Sequence, residues 1–228
     1  MALSRYYKAQ IGSEQDKKDG MMKTYELRAP LSEEDVIQLK IGDLVYVSGP
    51  AFSCRSRLHR YVFDENHGLP FPPGERNVLL HAGPIMKKND SGWDVISYMP
   101  TSSIRFEKWG SASVDQWRLR MIVGKTTMGE KTRLMMQKKK CVHVSPQCVS
   151  PNLWIDSISV EDVKLFEELG SIEATWCLNL EKLGPFVVDI DCEGNKLFEK
   201  VNREVDKKRV GAMKMLDIPE DFEYTKLY

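Results

Sequence analysis

The sequence lacks net charge: lysine plus arginine number 33 and aspartate plus glutamate number 33. That balance removes the general electrostatic argument for nucleic acid or an anionic membrane as a partner. The basic run Gln137-Lys138-Lys139-Lys140 suits a helix C-terminus, whose dipole favours cations. Long apolar stretches are also missing, so no segment has the length that crosses a bilayer as a helix. The five cysteines, Cys54, Cys141, Cys148, Cys177 and Cys192, contain no CxxC pair. Neither a zinc ribbon nor a disulfide framework is suggested, and a reducing, cytoplasmic setting is expected. No internal repeat occurs. Gly124-Lys125-Thr126 is no Walker motif, because the upstream glycine and the loop spacing are absent. Acidic residues are absent before Glu14, as in a mitochondrial presequence. The segment is short, however, and passes into Gln15-Asp16-Lys17-Lys18-Asp19-Gly20, so a flexible leader over 1–23 is the preferred expectation.

What is present is an ordinary globular composition, 42% hydrophobic and 29% charged over 228 residues, enough for one sizeable domain. Short apolar runs alternate with helical patterns, which predicts an α/β fold with a single core over 24–198 and a C-terminal helix and tail over 199–228. Ser32 and Asp35 have capping-box spacing, so a helix begins there. Leu44–Val47 reads as a buried strand broken by Ser48-Gly49-Pro50, and Ala51–Val62 as a basic helix. Val78–His81, Trp93–Tyr98, Arg120–Val123 and Cys141–Val144 read as strands. Lys87–Gly92 reads as a polar turn, Phe106–Gly110 as one or two helical turns, Gly129–Lys140 as a helix and Ser145–Pro151 as a loop. Ser159 with Asp162 repeats the capping-box spacing and predicts a helix ending at Gly170. Ala174–Leu180 and Pro185–Ile190 read as two strands. After a turn at Asp191–Asn195, Asn195 is expected to cap a long charged helix reaching about Met215.

Three of these strand ends carry chemistry. Arg55 follows the Gly49-Pro50 break, Thr101 and Arg105 follow Pro100, and Lys125 follows Gly124. Ligands of open α/β sheets collect outside the carboxyl ends of strands. Two guanidinium forks and an ammonium suit a small molecule with two carboxylates. The hydroxyl run Thr101-Ser102-Ser103 favours a helix start, where side-chain oxygens accept the first unpaired backbone N–H groups and anions are attracted. A hydroxyl among cations can also exchange a proton next to a carboxylate. Arg57 and Arg60 read as solvated surface. His59, one turn beyond Arg55, is either a polar filler or a catalyst.

The ordered motifs carry a resemblance. They are Gly42-Asp43 through Ser48-Gly49, Cys54-Arg55-Ser56 with His59, Ala82-Gly83-Pro84, Pro100-Thr101-Ser102-Ser103-Ile104-Arg105 and Gly124-Lys125. Glu173-Ala174-Thr175-Trp176, Pro185–Asp191 and Gly194-Asn195 follow. From about Thr24 to Phe198 the chain resembles the beta subunit, or C-terminal domain, of class I iron–sulfur hydro-lyases, the fumarases and L(+)-tartrate dehydratases. The resemblance implies a swivelling β/β/α domain and reversible hydration of a four-carbon dicarboxylate. It implies a [4Fe-4S] cluster on a separate alpha subunit, none on this chain, and a beta homodimer within a heterotetramer. It implies that Thr101 is the proton-abstracting base. Arg55, Arg105 and Lys125, with Ser102, would hold substrate, and His59 would join the catalytic group. Departures from the family pattern stand at Ser56, Met99, Phe106, Glu107 and Thr126. They motivate an alternative, a catalytically degenerate relative that binds carboxylates or serves as a scaffold.

Overall fold

The computed structural model describes residues 22–146, 150–219 and 221–222; most of the predicted leader, with Cys148, lies outside them. The chain runs β1 Thr24–Arg28, α1 Glu33–Ile37, β2 Leu44–Cys54, α2 Ser56–His59, β3 Val78–His81, β4 Ile85–Asn89 and β5 Gly92–Ser97. A 3-10 turn, Ser103–Phe106, leads into α3 Glu107–Gln116, then β6 Met121–Val123, α4 Glu130–Lys139, β7 Val142–Pro146, β8 Ile158–Lys164, α5 Phe166–Leu169, β9 Thr175–Ile190 and α6 Leu197–Met215. This is the α/β architecture expected. Among the described residues no helix is long and apolar enough to cross a membrane.

The main sheet has the order β1-β2-β3-β6-β7-β9-β8, and β9 pairs with β2 as well. The strands β2, β3, β6, β7 and β9 therefore close into a ring. β1, β2, β3, β6 and β7 run parallel, and β9 lies antiparallel to β2, β7 and β8. Side-chain alternation explains why the strands read as unbroken apolar runs. Val78, Leu80, Met121, Val123, Val142 and Val144 fill the inner core with Phe186 and Trp176. Leu79 and Ile122 point the other way, against Leu58, Val114, Trp117 and Met136 of the helical layer.

Several expected boundaries move, each for a physical reason. Ser32 and Asp35 form the capping box in full. β2, however, does not stop at Gly49. It continues to Cys54 through register shifts around Val47 and Gly49, where Gly49 has φ +94°. A side chain there would come within 2.5 Å of the Ala29 carbonyl oxygen, so glycine makes the bulge that lets the strand pass. The predicted helix at 51–62 is thus strand up to Cys54, then α2, then a π-helical turn over Arg60–Asp64. Lys87–Asn89 belong to β4, which pairs with β5 in a hairpin, rather than to a turn. Ser159–Lys164 is a strand at the sheet margin, because pairing with β9 overrides the capping-box signal. Only Phe166–Leu169 turns helical before Gly170, at φ +79°, ends it. The two strands predicted at 174–190 are one, bent where Lys182 and Gly184 take positive φ. Asn195 does not cap α6: its amide bonds Asp191 across the turn, and Lys196 stands at the helix start without a side-chain cap.

Candidate active site

Parallel pairing sets the level of the strand ends. Cys54 faces His81 across β2 and β3, and Leu80 faces Val123 across β3 and β6. The residues that follow, Arg55, Ala82-Gly83 and Gly124-Lys125, therefore emerge side by side on one rim. The segment Pro100–Ser103 is stitched onto that rim. Pro100 bridges Ala82, and Ser102 bridges Lys125. The Thr101 amide donates to the His81 carbonyl (2.6 Å), the Lys125 amide to the Thr101 carbonyl (2.9 Å), and the Ser103 amide to the Lys125 carbonyl (2.9 Å).

Arg55 completes the notch. Its side chain crosses the end of β3 so closely that a methyl group on Gly83 would sit 2.7 Å from Cδ and 2.8 Å from Nη1. Its Nε lies 3.5 Å from a Glu173 oxygen without the alignment of a hydrogen bond. Glu173 also accepts the Arg57 amide at 2.9 Å, so it is fixed as the notch's internal countercharge. Arg105 is exposed on the 3-10 turn that begins at Ser103, and Lys125, whose backbone bridges Ser102, is exposed as well. Among the described residues neither has an ion-pair partner. An exposed, unpaired cation is a natural partner for an anion. Thr101 and Ser102 are half-buried on the same rim.

His59 is placed differently. It is wholly buried, with its ring against Phe106 (5.2 Å), Trp109 (5.5 Å), Trp117 (5.2 Å) and His81 (5.7 Å). Its Nδ1 lies 2.9 Å from the Arg55 carbonyl and 3.2 Å from Cys54 Sγ. Burial lowers its pKa to about 4, against the smaller opposing effect of the Arg55 carbonyl. In this conformation it touches no solvent and braces Arg55 from beneath. Arg57 is occupied with the carbonyls of Leu169 and Glu168 at 2.8 and 3.1 Å.

The hydroxyl run does not cap a helix. Ser102 stands at the start of the 3-10 turn with no side-chain cap bond, and Ser103 points inward instead. Its Oγ lies 2.9 Å from His81 Nδ1 and 2.9 Å from His143 Nε2, and His143 Nδ1 lies 3.0 Å from Asp189 Oδ2. This buried chain escaped the sequence reading. Its available signal was one polar residue inside each of three apolar strands, His81 in Val78–His81, His143 in Val142–Val144 and Asp189 in Val187–Ile190.

Two of the departures, at Glu107 and Phe106, have a local structural account. Glu107 accepts the amides of Gly129 (2.7 Å) and Thr132 (3.2 Å), capping α4, where the helix dipole favours a carboxylate. Phe106 packs on His81 at 4.5 Å. Thr126 sits at φ +63°, where a β-branched residue is strained.

Iron–sulfur ligation does not fit these residues. Among the described residues no group of three or more His, Cys, Asp or Glu side chains is placed to hold a metal ion. Cys54, Cys141, Cys177 and Cys192 are buried, and burial pushes their thiols up, that of Cys192 to about 12. Such groups stay protonated, whereas a cluster needs thiolates.

The Fumarase C-terminus family pattern matches residues 3–201. The chain is 31% identical over 171 residues to the L(+)-tartrate dehydratase subunit beta of Escherichia coli strain K12, covering 75% of this chain and 85% of that one. It is 32% identical over 182 residues to a putative L(+)-tartrate dehydratase subunit beta of Methanocaldococcus jannaschii, covering 78% and 93%. It is 32% identical over 187 residues to a putative fumarate hydratase class I of Geobacillus stearothermophilus, covering 81% of this chain and 35% of that longer one.

Proposed function

Because the chain belongs to the Fumarase C-terminus family, we propose that it is the beta subunit of a two-subunit hydro-lyase that adds water reversibly across a four-carbon dicarboxylate, fumarate first among the candidates. The observation that carries this is the stitched rim. Backbone bonds hold Thr101 against Lys125 and His81, between Arg55 and the exposed Arg105. Arg105 and Lys125 take one substrate carboxylate, and Arg55 takes the other when it turns from its loose contact with Glu173. Ser102 adds a hydroxyl donor. Thr101, with cations on either side, removes the proton from the carbon next to a carboxylate, since nearby positive charge stabilises an alkoxide. His59 supports Arg55 through its carbonyl and stays clear of substrate.

A [4Fe-4S] cluster, which would bind the substrate hydroxyl, belongs in this reading to an alpha partner, because the thiols here do not fit it. The working assembly is a beta pair docked to two alpha chains in the cytoplasm. The test is anaerobic reconstitution with a cluster-bearing alpha subunit. Activity on fumarate, malate, tartrate or mesaconate is expected; none with any of them defeats the reading. In an active complex Thr101→Ala lowers kcat about 100-fold with KM little changed, and Arg105→Ala damages both. Micromolar fumarate binding by the lone chain, with no activity in the complex, would instead mark a carboxylate-binding relative.

A further inference from the structure

Four polar side chains, Asp189, His143, Ser103 and His81, lie in line behind the notch, each at most 1% exposed. Their links are 3.0, 2.9 and 2.9 Å. Ser103 is the node, because its backbone amide simultaneously holds the Lys125 carbonyl, and the His81 carbonyl holds Thr101. Gly124 makes room for it: a Cβ there would lie 1.9 Å from Ser103 Oγ. Apolar side chains would fill this layer, as Leu79 and Ile122 do on the same strand faces, at no desolvation cost.

We propose that this chain is a positioning network for the notch, with Asp189 setting the direction of every hydrogen bond in it and so the seat of Thr101 and Lys125. The proposal rests on the hydro-lyase reading for its chemistry. With Asp189 accepting and each ring carrying a single N–H, the directions follow from donor arithmetic. His143 Nδ1–H donates to Asp189, leaving Nε2 to accept from the Ser103 hydroxyl. Ser103 Oγ then accepts from His81 Nδ1–H. His81 Nε2, which has no partner, is left as a bare lone pair; reversing the chain would bury an unpaired N–H there instead. Burial, with His59 and His143 nearby, holds His81 well below the usual imidazole range, consistent with a neutral ring. A seat fixed this firmly matters, since misplacing a reacting group by about 1 Å can cost roughly 100-fold in rate.

Asp189→Asn separates direction from mere packing. Asp189 Oδ1 has no hydrogen-bond partner, so the amide settles with its oxygen there and its NH2 towards His143. The chain stays complete but runs the other way. In the reconstituted complex, Asp189→Asn is expected to lower kcat at least tenfold, with a modest loss in melting temperature from the N–H left unpaired at His81 Nε2. Nitrogen NMR of the full chain should show the protonated nitrogens of His143 and His81 exchanged. Ser103→Ala, which removes the node, should lower kcat similarly. Exchanged tautomers with kcat within twofold of the native complex overturn the proposal, and so do unexchanged tautomers. If the native complex is inactive on all four dicarboxylates, the hydro-lyase reading falls separately. Calorimetric fumarate binding to the full chain then decides: tenfold weakening in both variants upholds the network, and unchanged binding overturns it.

Discussion

Replacing Gly124 with alanine tests the seat of the notch most directly. The new Cβ would lie 1.9 Å from Ser103 Oγ, 3.2 Å from Ser103 Cβ and 3.3 Å from His81 Cβ. Gly124 does not use the left-handed region, so alanine adopts its backbone freely and the cost is wholly steric. The hydroxyl must leave, breaking its bonds to His81 and His143. Each is worth about 1 kcal/mol net, and each buried ring nitrogen left unpaired costs roughly 1–3 kcal/mol more. The expected loss is about 4–8 kcal/mol by these terms, read from urea unfolding of the full chain at pH 7. Ser103→Ala alone, which breaks the same two bonds, should cost about as much. The two changes share one obstacle, so the double variant should lie within about 1 kcal/mol of Ser103→Ala, a coupling of several kcal/mol. Additive losses, or a Gly124→Ala protein of native stability, would refute the reasoning.

Other outcomes follow from single residues. Thr126→Gly relieves a β-branched side chain at φ +63°, so it should raise stability by about 1 kcal/mol, visible as a higher thermal midpoint; a lower midpoint would show that the hydroxyl's bond to the Lys125 carbonyl outweighs the strain. The His59 pKa falls from the usual imidazole value of 6.5 to about 4 on folding, so the unfolded chain binds the extra proton more readily. Its contribution is therefore present above pH 6.5 and lost as pH falls towards 4, about 3 kcal/mol in all. His81, shifted the same way, adds to that slope. Denaturant titrations between pH 7 and 4 should show a shallower acid decline in His59→Phe, and an unchanged decline would remove His59 as the cause. Glu107→Ala should cost about 1–2 kcal/mol through the uncapped start of α4, read from the urea midpoint.

The sequence alone determined much of the scaffold. Local rules suffice where the signal is local: the Ser32–Asp35 box, the buried runs at 78–81 and 121–123, and the helix closing at Lys140. The order of motifs along the chain carried the family and singled out Arg55, Thr101, Arg105 and Lys125. Ring closure was not legible, because pairing of β2 with β9 joins residues more than a hundred positions apart; nor was the pairing of β8 with β9, which turns Ser159–Lys164 from a helix pattern into a strand. Nor was the fate of two residue types. His59 and Ser103 look like surface chemistry in a string of letters, yet packing buries both. An imidazole or a hydroxyl takes its role from what surrounds it, and only the three-dimensional arrangement of β3, β6, β7 and β9 supplied Ser103 with two histidines and an aspartate.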